Sequence, residues 1–236
     1  MLVNSAAVMQ PYLFPNLAYY KLVRHVEHFV FYDDVHFIKG GWINKNNILY
    51  NAKALSFRLP LVDASSNKLI SDVVLFNKDR EIALLLKKLT YSYAKAPFFN
   101  DVIKLIEEVL TTPTQSIAEL AEQSILLVFN YLKLPLIAST SSTLLYYRAG
   151  QNSTDRLIEL IHSLDKKKYL NAIGGKALYN KEYFKSKGID LFFISATKQE
   201  YKQFNHPFVP GLSMIDVLMF NHPEQVLSLL DAIEYE

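Results

Sequence analysis

Ser5-Ala-Ala-Val-Met9, Gln10-Pro-Tyr-Leu-Phe-Pro15, Leu17 to Glu27 and Phe29-Val-Phe-Tyr32 follow one another near the N-terminus, and the last run ends on Asp33-Asp34. The first and last are short apolar runs of the kind that form buried strands. Between them lie a turn stiffened by two prolines and a segment with apolar positions at helical spacing. Strand, turn, helix and strand within about thirty residues make a βαβ unit, and so short a crossover sets its two strands side by side and parallel. Gln10 and Asp33-Asp34 each fall just past the carboxyl end of a strand, the edge where open α/β sheets bind ligands. Tyr32-Asp-Asp-Val-His36 and Gly41-Trp-Ile-Asn-Lys-Asn46 come next and bring the only tryptophan of the chain. The functional site is expected here.

The remainder continues the alternation of strands and helices. Asn47 to Pro60 predicts two short antiparallel strands turned at Asn51-Ala-Lys. Asp63 to Lys68 is a solvent loop, and Leu69 to Phe76 reads as a further strand. Three helices follow: Asp79 to Thr90 with Asp79 as its cap, Phe98 to Thr111, and Ser116 to Leu132, with Pro113 separating the last two. They form a helical insertion over about residues 79–133. Pro135 to Ser139 resumes as a strand, Asp155 to Leu164 as a helix, and Lys168 to Ile173 as a strand running into Gly174-Gly175-Lys176. Lys181 to Ser186 is a helix, Gly188 its C-cap, and Gly188 to Ile194 a strand. Helices near Ser213 to Phe220 and Pro223 to Ile233 complete the chain. This pattern predicts one α/β domain over residues 1–236, its mostly parallel, doubly wound sheet covered on both faces.

A chain of 236 residues can bury a full-sized core, and 50% hydrophobic with 20% charged residues excludes disorder. The net charge is +2, with basic residues scattered apart from Lys166-Lys167-Lys168, so no nucleic-acid partner is expected. The chain has no cysteine, which excludes disulfide and thiolate chemistry and fits a reducing cytoplasm. The opening residues lack a basic region followed by a long apolar stretch, and no run approaches eighteen apolar residues, so neither a signal peptide nor a membrane span is expected. The 15 tyrosines and 15 phenylalanines supply either core packing or the walls of a sugar or base site. For Tyr146-Tyr147, core packing and a homodimer surface both stay open.

Within the candidate region, the rigid turn offers Gln10, Tyr12, Phe14 and Tyr19 to a nucleotide or sugar, with the following helix N-terminus suited to an anion. Asp33 and Asp34 are adjacent, so in extended chain they point to opposite faces and at most one meets the crevice. Either is a candidate for acid/base work or for a metal or ribose, and a solvated strand end is the alternative. His36, two residues beyond Asp34, is the candidate general base. Trp42, Asn44 and Asn46 form a flat surface beside side-chain amides, suited to sugar hydroxyls or a base edge. Lys39 and Lys45 are point charges for phosphate. Gly174, Gly175 and Lys176 follow a strand and precede a helix, where backbone N–H groups can cradle an anion, although the full phosphate-loop spacing is absent. Tyr179, Tyr201 and Gln203 are placed on the opposite wall. Ser213 and Asp216 have capping-box spacing. No metal-ligand spacing of His, Asp and Glu occurs, so the expected metal set is none, apart from Mg²⁺ carried in with phosphate.

These motifs also carry a resemblance. Gln10-Pro-Tyr-x-Phe-Pro15, Phe31-Tyr-Asp-Asp-Val35 and Gly41-Trp-Ile-Asn-x-Asn46, with Ala172-Ile-Gly-Gly-Lys-Ala-Leu-Tyr179 and Phe208-Val-Pro-Gly-Leu-Ser213-x-Ile-Asp216, resemble the WbqC-like proteins over most of the chain. Ala18 stands where that family usually has glycine, and His36 and Lys45 stand where it tends to have glutamine and arginine. Lysine cannot reproduce a bidentate guanidinium. The resemblance implies a role in bacterial surface polysaccharide and O-antigen synthesis. The first crossover is also similar to that of nucleotide-binding α/β transferases and adenylate-forming ligases, which makes the expected sheet Rossmann-like or nucleotidyltransferase-like, but their histidine pair is missing. The expected activity is transfer of an acyl or aminoacyl group to a nucleotide-linked amino sugar, with ATP and Mg²⁺ as candidate cofactors. A glycosyltransferase or nucleotidyltransferase using a sugar nucleotide, and a non-catalytic sugar-binding or scaffold protein, are the alternatives.

Overall fold

The computed structural model describes residues 1–147, 152–196 and 199–236. Strand β1 (Leu2–Met9) forms the centre of the main sheet, and its Ser5, Ala6, Ala7 and Val8 are buried. Four consecutive buried residues, rather than alternate ones, are what a parallel strand covered on both faces requires. Asn16 then caps helix α1 (Leu17–Arg24) by accepting from the Tyr19 N–H, and the chain returns along β2 (Val26–Phe31). The two strands are parallel, with Ala7 opposite Phe29 and Met9 opposite Phe31. The predicted βαβ unit is present.

Strands β3 (Lys45–Tyr50) and β4 (Lys53–Arg58) pair as a separate antiparallel hairpin. Its turn residues Asn51 and Ala52 have φ of 47° and 58°, the left-handed pair that matches strand twist. Leu69 to Phe76 is not the strand that its alternation predicts. Ile70–Asp72 is a 3-10 turn, and the residues after it make only isolated pairings, Leu61 with Leu75 and Val74 with Ser116. Val73 and Leu75 are buried while Val74 and Phe76 are exposed, which copies a strand's period. Their neighbours are loop and helix start, so no ladder forms.

Helices α2 (Lys78–Tyr93), α3 (Phe99–Leu110) and α4 (Ile117–Tyr131) make up the expected helical section. Asn77, rather than Asp79, occupies the cap position of α2, and Asp79 lies in its first turn. The Ser116 side chain caps α4 by accepting from Glu119 N–H. Beyond it come β5 (Ala138–Thr140), α5 (Ser153–Ser163), β6 (Lys168–Ala172), α6 (Lys181–Ser186), β7 (Asp190–Ala196), α7 (Met214–Phe220), α8 (Pro223–Asp231) and β8 (Ile233–Tyr235). Gly188, at φ +79°, supplies the left-handed residue just past α6. Strand β8 replaces the end of the predicted last helix and pairs antiparallel with β7.

The main sheet has six strands in the order β5-β2-β1-β6-β7-β8, and all pairings except the last are parallel. Alternate residues feed two separate cores. Ala7, Phe29, Phe31 and Leu170 join α1, the three middle helices and α7. Val8, Val30, Tyr169 and Phe193 join Leu157 and Ile161 of α5 and Phe184 of α6. Helices therefore cover both faces.

Candidate functional site

Numbered in chain order, the six strands lie as 3-2-1-4-5-6, so the order reverses between β1 and β6. The connections leave those two strands in opposite directions and open a crevice at their carboxyl ends. A cavity of about 220 Å³ lies there, bordered by Met9 and Ala172, the last residues of β1 and β6, and by the first turn of α1. Tyr12, Tyr19, Trp42 and Asn46 complete its walls.

The proline turn is shaped from a distance. Phe14 is fully buried at φ 42°. Its N–H donates to Ser124 Oγ at 2.9 Å, and its carbonyl accepts from Asn46 Nδ2 and Ser213 Oγ, each at 2.7 Å. Phe14 is therefore a core residue and presents no surface to a ligand. The rings of Tyr12 and Tyr19 lie 5.6 Å apart, and the Tyr19 hydroxyl donates to Gln10 O at 2.9 Å. Trp42, 45% exposed, has the Lys45 ammonium over its ring at 5.1 Å. Tyr12, Tyr19, Trp42, Lys45 and Asn46 are thus brought together, with the Gln10 backbone behind them.

Other expected residues are placed elsewhere. Asn44 is buried and donates to Leu59 O at 2.7 Å, which fastens the entry to β3. Lys39 is exposed, and His36 is exposed with its backbone bridged to Leu69; neither borders this cavity. Gly174, Gly175 and Lys176 lie in a 3-10 turn, Ile173–Leu178, and not at the start of α6. A Cβ on Gly175 would sit 2.7 Å from Asn171 Nδ2, so close packing explains that glycine. Lys176 pairs with Glu236 at 2.6 Å on the surface. Tyr179 packs against Tyr169 and Phe184 in the opposite core. Tyr201 and Gln203 converge on buried Asp216, the first at 2.7 Å and the second at 2.6 Å, both to Oδ2. Ser213 does cap α7, but Asp216 does not reach back to complete a capping box.

Asp33 and Asp34 are both buried, and they do not point to opposite faces. The chain has left β2 and turns at this point, so both carboxylates meet Ser141, which follows β5. Ser141 Oγ lies 3.0 Å from Asp33 Oδ1 and 2.5 Å from Asp34 Oδ1. Ser142 donates to Asp33 through its N–H at 2.9 Å and its hydroxyl at 2.7 Å. Asp34 Oδ2 accepts from the Tyr146 hydroxyl at 2.7 Å and pairs with Arg156 Nη2 at 2.9 Å. The Arg156 guanidinium lies 5.5 Å from the Tyr32 ring centroid and 5.8 Å from that of Tyr146. This network locks β2 to β5 and α5, and neither aspartate borders the cavity between β1 and β6. Sequence reading missed Ser141, Tyr146 and Arg156, since an arginine on an amphipathic helix looks like any solvated charge.

Glu122 of α4 was also missed. Its Oε2 accepts from Thr140 Oγ1 at 2.9 Å, while Oε1 is buried without a hydrogen-bond partner among the described residues. Burial, with Asp33 and Glu119 adding, pushes its carboxyl up to about 7 from 4.5 despite the Thr140 bond. Because the folded value is raised, the associated stability is full below pH 4.5 and is lost as pH rises through about 7. Glu122→Gln is expected to remove that loss, raising stability at pH 8 by about 2 to 3 kcal/mol while changing little at pH 4.5. Urea unfolding at the two pH values checks this; equal changes at both would exclude ionisation as the cause.

A mostly parallel six-stranded α/β sheet with an aromatic-walled cavity at the carboxyl edge, where strand order reverses, defines the class of this protein. Within that class the chain belongs to the WbqC-like protein family, whose sequence model matches residues 10–228. It is also similar to "Uncharacterized protein Rv1507c" of Mycobacterium tuberculosis (strain ATCC 25618 / H37Rv), with 22% identity over 222 residues, covering 93% of this chain and 94% of that protein. No solved structure matches significantly.

Proposed function

We propose that this chain is a transferase of bacterial surface polysaccharide (O-antigen) synthesis that holds a nucleotide-linked amino sugar in the cavity between β1 and β6 and acylates it, with ATP as the activating nucleotide. The observation that carries this reading is the cavity itself. It combines a flat, half-exposed indole and two tyrosines with the N-terminal turn of a helix, at the edge where Rossmann-like sheets take nucleotides. A base or sugar would stack on Trp42, and its phosphate would meet the N–H groups of Leu17 and Ala18 and the ammonium of Lys45. Among the described residues, no group of three or more His, Asp and Glu could hold a metal ion. Magnesium fits only as an ion brought in by phosphate, where it would offset phosphate charge. Asp33 and Asp34 are committed to Ser141, Ser142, Tyr146 and Arg156. In this reading they position the strand ends and do not take up a proton.

A thermal-shift titration with ATP, UDP-sugars and dTDP-sugars, with and without Mg²⁺, tests the proposal. A ligand at a hundred times its dissociation constant adds about 2.7 kcal/mol. Stabilisation by a nucleotide sugar, weakened by Trp42→Ala by about 1 to 3 kcal/mol as for a lost base stack, is the expected result. A sugar-nucleotide shift without any ATP effect moves the assignment to glycosyl or nucleotidyl transfer. No shift with any of them overturns the reading in favour of a non-catalytic binder.

A further inference from the structure

The cavity beside Trp42 adjoins a second, of about 470 Å³, across the first turn of α1, with Asn16, Ala18 and Gly211 bordering both. Phe208, Leu212 and Val217 give the second cavity an apolar wall, Lys21 lies at its floor and Glu200 at its exposed rim. Lys21 is fully buried, and its ammonium donates to Gln199 Oε1 at 3.1 Å and Ala232 O at 2.7 Å. Both acceptors are neutral, and no carboxylate among the described residues pairs with it. Glu200 likewise has no cationic partner among them. A buried cation without a counter-ion is stabilised by any carboxylate that reaches it. Burial also lowers the Lys21 pKa, which is the direction expected for an ammonium lacking that partner.

We infer that this second cavity is a subsite for a free α-amino acid with an apolar side chain, its carboxylate replacing Gln199 Oε1 on the Lys21 ammonium, its ammonium directed to Glu200 and its side chain to Phe208. Charges of both signs bordering one largely apolar cavity fit a zwitterion, whereas a phosphate would be repelled by Glu200 and a simple amine by Lys21. Naming the amino acid as the source of the transferred acyl group rests on the transferase reading above; its binding does not.

Isothermal titration of the full chain with L-leucine and L-phenylalanine tests this, beside leucinamide, which lacks the carboxylate, and 4-methylpentanoate, which lacks the ammonium. Saturable binding of at least one amino acid, with leucinamide and 4-methylpentanoate about tenfold or more weaker, is expected from the loss of one charge contact. Glu200→Gln, at an exposed position that leaves folding intact, is expected to weaken the amino acid by about tenfold and leave 4-methylpentanoate unchanged. Trp42→Ala should not alter amino-acid binding. No binding of either amino acid, or equal binding of the analogues, overturns the subsite. Amino-acid binding without any nucleotide-sugar binding would sink the transferase reading and leave the subsite standing.

Discussion

Asp216→Ala is expected to lower stability by about 3 to 5 kcal/mol, the range for removing one partner of a buried polar cluster. The carboxylate accepts from Tyr93 at 2.8 Å, Tyr201 at 2.7 Å and Gln203 at 2.6 Å, and burial raises its pKa. Alanine leaves the Tyr93 and Tyr201 hydroxyls without this acceptor, while Gln203 Nε2 keeps its bond to Val209 O at 3.2 Å. The damage is also local to function. Gln203 in turn accepts from Val209 N–H at 2.7 Å, so the loop that brings Tyr201, Phe208 and Gly211 to the two cavities is fastened through Asp216. Tyr93, at the end of α2, donates to the same carboxylate and accepts from Leu49 N–H of β3 at 2.7 Å. Asp216→Asn keeps one acceptor oxygen and should lose less than alanine. Urea unfolding of the two variants gives the check: equal losses would mean that packing, not hydrogen bonding, supplies the effect.

The second large effect is expected for Asp34→Ala, at about 2 to 4 kcal/mol, because Arg156 and Tyr146 are left without their shared acceptor. Arg156 keeps 22% of its side chain exposed, so part of its charge is screened and the loss falls below that for a fully buried pair. In a double-mutant cycle, Arg156→Met in the Asp34→Ala background should recover about 1 kcal/mol or more relative to additivity. Strict additivity would show that the pair is not coupled. A loss below about 1 kcal/mol for Asp34→Ala alone would show that this network does not hold the strand edge.

The fold was legible where periodicity and topology are local. Residues 5–34 and 168–194 could be read because each strand and helix carries its own pattern, and short connections force parallel neighbours. Leu69 to Phe76 was not, since alternation reports which side is buried and says nothing about whether a partner strand exists. The cavity's aromatics Tyr12, Tyr19 and Trp42 were legible from their position after a strand end. Asn44 shows the opposite case: a side-chain amide serves a distant carbonyl of its own chain as well as a sugar hydroxyl, and sequence does not distinguish the two. Asp33 and Asp34 were assigned to opposite faces because extended geometry was assumed one residue too far. Arg156 and Glu122 had no signal, and Tyr146 stood out only as one of an aromatic pair, since the carboxylate and hydroxyl partners lie on elements that are remote in sequence.

Phe14 is clamped by residues 46, 124 and 213, so a corner formed by the first fifteen residues depends on segments up to 199 positions away. Closing loops of that length is entropically unfavourable until the intervening helices and strands have ordered. The turn is therefore expected to be among the last parts of the chain to take shape, although it is among the first in sequence. Ligand affinity at this cavity is set by the assembly of the whole molecule, and a fragment carrying only the opening βαβ unit has the right residues without the corner that presents them.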